Sequence, residues 1–242
     1  MLVDFCLPVY NEEQILESNI LTLLRYLKAR EWSFDWNIAI VVNGSGDGSL
    51  DIAKKLSREY PREIKYINFD SKGKGQAIKR FIVQSEADVV VYMDIDLAVS
   101  LDNINDLLAP MTQEGRDLVM GSRLLPDSKI NRSFIREFSS QTYNLLSRIL
   151  LNHRFSDLQC GFKAIKTERF QDLAPLIESR TWFFDTELIA WSKEKGLRVH
   201  EVPINWSQNR YEKRKSKVNL CKDSLIFIKN LLILRRKIKK VD

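Results

Sequence analysis

Five consecutive apolar residues, Val89-Val-Val-Tyr-Met93, end abruptly on Asp94-Ile-Asp96. A strand with one face in water alternates apolar and polar residues. An unbroken apolar run therefore predicts a strand covered on both faces, as in a parallel sheet flanked by helices. Leu2 to Val9, Trp36 to Val42 and Ile64 to Phe69 read as strands too, with Asp88 to Met93 as the fourth and Leu118 to Gly121 as another. Helical periodicity fills the intervals, from about Glu12 to Lys28, from Ser49 or Asp47 through Tyr60, and from Lys74 to Gln84. Strands alternating with helices predict an α/β fold with a mostly parallel, Rossmann-like central sheet.

In such a sheet ligands bind beyond the carboxyl ends of the strands. The unusual polar residues fall there: Tyr10-Asn-Glu12 after the first strand, Asn43 after the second, and Asp94-Ile-Asp96 after the fourth. Two carboxylates one residue apart can share a hard divalent cation, Mg²⁺ or Mn²⁺, and bridge it to phosphates. An Asp-x-Asp pair alone is a weak signal; its position at a strand end gives it weight. Lys72-Gly-Lys-Gly75 opens a helix, where backbone N–H groups and the helix N-terminus favour phosphate, although an ordinary glycine turn with exposed lysines is the competing reading. Asn43-Gly-Ser-Gly-Asp-Gly-Ser49 is either a tight turn or a contact for a nucleotide base or ribose.

The second half carries helical patterns from Arg132 to Asn152, near Thr167 to Ile177 and from Asp185 to Lys195, and a strand from Arg198 to Ile204. No linker separates the halves. Residues 1–217 are expected to form one domain, with 1–123 on the donor side and 124–217 on the acceptor side, followed by a basic amphipathic helix within 218–242.

Composition narrows the function classes. The 44% hydrophobic content of the 242 residues can build a substantial core. Cys6, Cys160 and Cys221 are widely spaced, which suits free thiols, and with only two histidines a zinc site is not expected. The first residues lack the basic region and cleavage site of a signal peptide, and no run of about 20 apolar residues spans a bilayer. From Trp206 onward twelve Lys/Arg face three Asp/Glu, a balance of +9 within a net +6, leaving −3 for the rest. A basic tail on a near-neutral body points to an anionic partner for the tail, or to a solvated face. Leu220 to Ile238 interleaves Leu225, Phe227, Ile228, Leu231 and Leu232 with Lys222, Lys229 and the run Arg235–Lys240. A helix lying on a membrane surface fits this pattern; one packed on the domain is the alternative. No groove-reading module accompanies the basic residues, so nucleic acid is not an expected partner.

Taken in order, these segments resemble the family-two glycosyltransferases of GT-A fold, and most closely the polyprenyl-phosphate hexosyltransferases: dolichol-phosphate mannose synthases and, more so, dolichyl-phosphate β-glucosyltransferases. The likeness runs from Leu2 to about Lys217. Leu7-Pro-Val-Tyr-Asn-Glu12 resembles the family's donor loop, Lys72-Gly-Lys-Gly-Gln-Ala77 its glycine-lysine segment, Met93-Asp-Ile-Asp-Leu97 its metal strand and Gly121-Ser-Arg123 its Gly-Ser-Arg. Asp157-Leu-Gln-Cys-Gly-Phe-Lys163, Trp182-Phe-Phe-Asp-Thr-Glu-Leu188 and Glu201-Val-Pro-Ile-Asn-Trp206 resemble segments of the glucosyl branch.

The resemblance implies an inverting transfer of a hexose from a nucleotide-sugar, of UDP-glucose or GDP-mannose type, to a polyprenyl or dolichyl phosphate. Pro8, Tyr10, Asn11, Glu12, Asn43, Lys72, Lys74, Asp94 and Ile95 would hold the donor, with Asn43 by the base. Asp94 and Asp96 would bind Mg²⁺ or Mn²⁺. Asp96, Arg123 and Arg136 would act in catalysis, and Lys217 would face phosphate. Asp157, Asp185 and Glu187 would lie on the acceptor side, unless they serve as caps or arginine partners. A phosphate acceptor is already anionic and needs no strong base. Two departures stand out: Val42-Asn43 replaces a pair of aspartates, and Ala98 replaces a glutamine of the mannose synthases. The implied setting is the cytoplasmic face of a membrane, peripherally, with a membrane-protein partner or a homo-oligomer as further possibilities. Transfer to a sugar hydroxyl, with Asp185 or Glu187 as base, is the enzymatic alternative; an inactive lipid-binding scaffold is the non-enzymatic one.

Overall fold

A computed structural model of the chain describes residues 1–131, 134–207 and 220–240, with no account of the side chains of 134–140 and 220–225. Its strands are β1 (Leu2–Val9), β2 (Asp35–Asn43), β3 (Ile64–Phe69), β4 (Val89–Met93), β5 (Leu118–Ser122), β6 (Lys129–Asn131), β7 (Phe162–Lys166), β8 (Val199–Pro203) and β9 (Asn205–Ser207). Its helices are α1 (Leu16–Lys28), α2 (Ser49–Glu59), α3 (Lys74–Gln84), α4 (Asn103–Gln113), α5 (Phe134–Leu151), α6 (Thr167–Leu173), α7 (Phe184–Glu194) and α8 (Leu220–Ile238).

Seven strands form one sheet in the order β3-β2-β1-β4-β7-β5-β8. All pairings are parallel except those of β7, which runs antiparallel to both β4 and β5. A separate ribbon pairs β6 with β9. Side chains alternate across the pleat, so each strand feeds two cores. Val89, Val91 and Met93 of β4 enter one, against α1 and α4; Val90 and Tyr92 enter the other, against α3 and α7. This two-sided burial is why the run from Val89 to Met93 has no polar break.

The mostly parallel sheet follows the expected α/β pattern, with local corrections. α1 begins at Leu16 rather than Glu12, because the Glu12 carbonyl accepts from both Ile15 N (3.0 Å) and Leu16 N (2.9 Å), forming a tight turn ahead of the helix. α4 contains Pro110, which reads as a helix breaker, yet it is buried within the helix. β7 is a strand that alternation does not reveal, because Lys163 is fully buried among its apolar neighbours. The inserted β7 also means that residues before and after position 124 share one sheet.

Asp117 fastens the start of β5. Its carboxylate accepts from the Arg198 backbone N–H (3.0 Å) and from the Arg198 guanidinium (3.2 and 3.3 Å), while its carbonyl accepts from Lys166 N (3.0 Å). Burial opposes the Asp117 charge, but the Arg198 hydrogen bonds outweigh it and hold the carboxyl at about 2. A carboxyl pKa depressed by folding stabilises above the unfolded value and loses that stabilisation as pH falls through the folded one. Asp117→Asn is expected to lower stability by about 1–3 kcal/mol at neutral pH. Urea unfolding across a pH series checks this: the gap from wild type should close between about pH 4, the ordinary carboxyl range, and about 2.

Candidate active site

Because β1, β2 and β4 are parallel, their carboxyl ends share one edge of the sheet. β1 pairs with β4 only as far as Cys6, whereas its pairing with β2 continues through Pro8 and Val9. Pro8, which has no N–H to give, therefore lies where the β4 side of the ladder has ended. Asn11 adopts φ 51°, a left-handed geometry that asparagine tolerates. Its backbone N–H donates to Ser45 Oγ (3.1 Å) and its side-chain oxygen accepts from Gly46 N (2.8 Å). Glu12 is buried, and its N–H donates to Ser49 Oγ (2.9 Å). The loops after β1 and β2 are thus knitted together.

Past β4 the chain turns sharply. Leu97 N donates to the Asp94 carbonyl (3.1 Å) with Leu97 at φ 49°, and Asp96 Oδ1 accepts from Ala98 N (3.2 Å). Ile95 is buried in the core, and Asn19 of α1 donates to its carbonyl (2.8 Å). The turn is held from below, with Asp94 and Asp96 both half-buried at its rim.

Two distant segments close on Asp94. The first is the glycine-lysine loop opening α3, where Lys74 Nζ donates to Asp94 Oδ1 at 2.5 Å and lies 4.6 Å from the centre of the Trp182 ring. Lys72 Nζ sits 4.2 Å from the Tyr10 ring centre. A Cβ at Gly75 would lie 2.4 Å from that of Phe184, and one at Gly73 would lie 2.6 Å from the Arg180 carbonyl oxygen, so only glycines allow this loop to seat. The second segment contains Gly161, whose added Cβ would meet Asp94 Oδ2 at 2.6 Å and Lys74 Nζ at 2.8 Å. Burial disfavours the Lys74 ammonium, but Asp94, Asp185 and Asp96 outweigh burial and raise its pKa.

Asn43 is buried, with its side-chain N–H donating to the Val9 carbonyl (3.0 Å) and its oxygen accepting from Gly73 N (3.4 Å). These two bonds make it a brace between β1 and the glycine-lysine loop.

The acceptor-side carboxylates are likewise engaged within the fold. Asp157 is fully buried and takes a two-pronged bond from the Arg123 guanidinium (2.7 and 2.9 Å) together with the Arg123 backbone N–H (3.1 Å). Burial opposes the Asp157 charge, but Arg123 overrides it and lowers the pKa. Asp185 accepts from buried Lys163 (2.6 Å) and from the Tyr92 hydroxyl (2.7 Å). Glu187 accepts from the backbone N–H groups of Glu178 (2.8 Å) and Ser179 (2.7 Å), and burial raises its pKa against those bonds. All three carboxylates thus have internal partners, as the capping and arginine-pairing alternative requires. The side chain of Arg136 and the whole of Lys217 lie outside the described residues.

Four residues that the sequence does not single out matter here: Gly161, Lys163, Asn19 and Trp182. Gly161, Lys163 and Trp182 sit inside the motifs quoted for the resemblance, which was their only signal; Asn19 had none, being a polar residue on a helix. Among the described residues no three His, Cys, Asp or Glu side chains converge to hold a metal by themselves.

The sequence profile of Glycosyl transferase family 2 matches residues 4–174. The glycosyltransferase AglD of Haloferax volcanii is 32% identical over 92% of this chain and 35% of its own length. The dolichyl-phosphate beta-glucosyltransferase ALG5D of Trichomonas vaginalis is 28% identical, over 88% of this chain and 68% of its own length. The dolichyl-phosphate beta-glucosyltransferase of Saccharomyces cerevisiae is 26% identical, with corresponding shares of 95% and 72%. The chain thus spans about a third of the first relative and about 70% of the other two. Glucosyl-3-phosphoglycerate synthase of Mycobacterium tuberculosis, solved with UDP, superimposes with a TM-score of 0.68 at 20% identity, covering 96% of this chain and 79% of its own. At that identity the likeness is one of fold, and the sheet is that of a GT-A glycosyltransferase.

Removing one partner of a buried ion pair leaves the other charge uncompensated. Asp157→Asn is therefore expected to lower unfolding stability by about 3–5 kcal/mol. Urea denaturation measures this, and a variant as stable as wild type would show that the Arg123 pair does not hold the fold.

Proposed function

Because the chain belongs to Glycosyl transferase family 2, we propose that it is an inverting hexosyltransferase carrying sugar from a nucleotide-sugar to a polyprenyl phosphate at a membrane surface. The observation that carries the reading is the acidic turn of Asp94 and Asp96 beside Lys74 at the carboxyl edge of β4. The names of the dolichyl-phosphate relatives support the acceptor class.

A donor diphosphate would lie at the N-terminus of α3, where the helix dipole, Lys72 and Lys74 all favour anions. Tyr10, Asn11 and Glu12 would line the nucleotide, and Asn43 would act by placing the loop. Asp94 and Asp96 would offer hard oxygen ligands, which fits Mg²⁺ or Mn²⁺. Such an ion would supply positive charge against the departing diphosphate. Arg123, oriented by Asp157, would use its remaining guanidinium N–H groups to receive the acceptor phosphate.

In the reaction an acceptor phosphate oxygen forms a bond to the anomeric carbon, while the bond from that carbon to the diphosphate oxygen breaks with its electrons on the leaving group. Attack from the opposite side inverts the configuration. The acceptor is an anion, so no proton has to be removed, and positioning with charge stabilisation supplies the catalysis. A hydroxyl acceptor would need a carboxylate base, and the internal bonds of Asp185 and Glu187 count against that alternative.

α8 serves the membrane in this reading. Leu231, Leu234 and Ile238 pack on the domain, with Phe227 against Tyr143 and Phe183. Ile226, Ile228, Leu232 and Ile233 remain exposed beside Lys229, Arg235, Arg236, Lys239 and Lys240. Among the described residues no helix is long and apolar enough to cross a membrane. Basic residues at an anionic surface contribute about 1 kcal/mol each, and exposed apolar side chains add to this. The anionic cytoplasmic leaflet is the surface such a helix favours.

Asp96→Ala is expected to reduce transfer from UDP-glucose or GDP-mannose to a short polyprenyl phosphate by about 10²-fold or more, on the scale of losing one charge-stabilising group. The assay runs with Mg²⁺ or Mn²⁺, alongside a melting curve near that of wild type; full activity in this variant would refute the mechanism. Separately, Leu232→Glu with Ile233→Glu should leave the melt unchanged and sharply reduce co-sedimentation with phosphatidylserine-containing vesicles. Undiminished co-sedimentation would place the membrane contact elsewhere.

A further inference from the structure

The Lys74–Asp94 pair has a feature that donor binding alone does not require. The ammonium sits at 2.5 Å on the carboxylate oxygen that a metal ion would also seek, so the two cations compete for one ligand. The competition is confined on both sides. The Trp182 ring lies 4.6 Å from Nζ, and Gly161 closes from elsewhere, leaving no space for even one added carbon beside Asp94 Oδ2 and Lys74 Nζ. The Gly161 wall is stiff, because buried Lys163 donates to the carbonyls of Leu158 (3.0 Å) and Cys160 on the same loop. Asp94, by contrast, keeps 43% of its side chain exposed, against 12% for Lys74. With the ammonium in place the turn presents one net negative charge rather than two, which weakens its pull on a dication. A lysine stem is flexible, and a diphosphate at the N-terminus of α3 offers its ammonium a stronger anionic partner.

We propose that Lys74 makes cation binding conditional on the nucleotide diphosphate, holding Asp94 until the diphosphate draws the ammonium away and frees the carboxylate. This rests on the donor site proposed above. Linkage is reciprocal, so the nucleotide strengthens the cation as much as the cation strengthens the nucleotide, by factors of roughly 5–150 in typical coupled systems.

The test is Mn²⁺ binding followed by electron paramagnetic resonance on the full chain, with and without UDP or GDP. Wild type is compared with Lys74→Met, Lys74→Gln and Lys74→Arg, each checked by its melting curve. Lys74→Met and Lys74→Gln are expected to bind Mn²⁺ without nucleotide roughly ten-fold more tightly than wild type, within the usual span of coupling. Lys74→Arg keeps the charge and should bind as weakly as wild type, and adding Asp94→Asn to Lys74→Met should cancel the gain. Unchanged or weaker nucleotide-free binding in both neutral variants, alongside nucleotide-assisted binding in wild type, overturns the proposal alone. Failure of every form to bind Mn²⁺ even with nucleotide overturns the donor site itself, and the proposal with it.

Discussion

The buried ammonium of Lys163 is the interaction on which the arrangement of the active edge depends. All three of its donors are taken: by Asp185 at the start of α7, and by the carbonyls of Leu158 and Cys160. A charge in the core is tolerated only when so fully partnered. One side chain thereby ties β7 to α7 and curls residues 158–161 toward the acidic turn, while the Tyr92 hydroxyl joins β4 to the same carboxylate. Gly161 reaches Asp94 because its flanking carbonyls are anchored from beneath.

Around this anchor the edge carries three carboxylate–cation pairs that differ in freedom. Asp185–Lys163 and Asp157–Arg123 have buried carboxylates. Asp94–Lys74 has a carboxylate open to solvent. Only the open pair can exchange partners without stranding a charge in the interior, and it is the one at the strand end where ligands of such sheets bind. The locked pairs act as scaffolding for the exchangeable one. The buried thiols of Cys6 and Cys160 are not nucleophiles at neutral pH, because burial pushes Cys160 up to about 12 and Cys6 higher still.

Much of this was legible in the sequence, for reasons that can be named. β1, β2, β3 and β4 are short apolar runs between turn-rich segments, and α1, α2 and α3 show their apolar faces at helical spacing, so local pattern located them. Asp94 and Asp96 stood out because a polar pair directly follows an apolar strand. β7 escaped because a lysine inside a strand reads as a surface residue, and its burial depends on Asp185, 22 residues away. α4 escaped because Pro110 breaks the expected pattern. The roles of Asp157, Asp185 and Glu187 were undecidable from sequence, since a catalytic carboxylate and a capping one share a side chain and differ only in who sits opposite. Asn43 is similar: its amide could serve a base or a backbone, and its two backbone bonds depend on tertiary placement.

The position of β7 has a consequence in time. Among the described residues β5 hydrogen-bonds only to β7 and β8, and both follow it in the chain. As the polypeptide is synthesised, β4 and β5 therefore emerge with a vacant slot between them. β4 presents an unpaired apolar edge until residues 162–166 arrive to fill it. Non-local insertion of this kind is slow and exposed edges invite association, so the strand that completes the acidic edge also closes an edge open to aggregation.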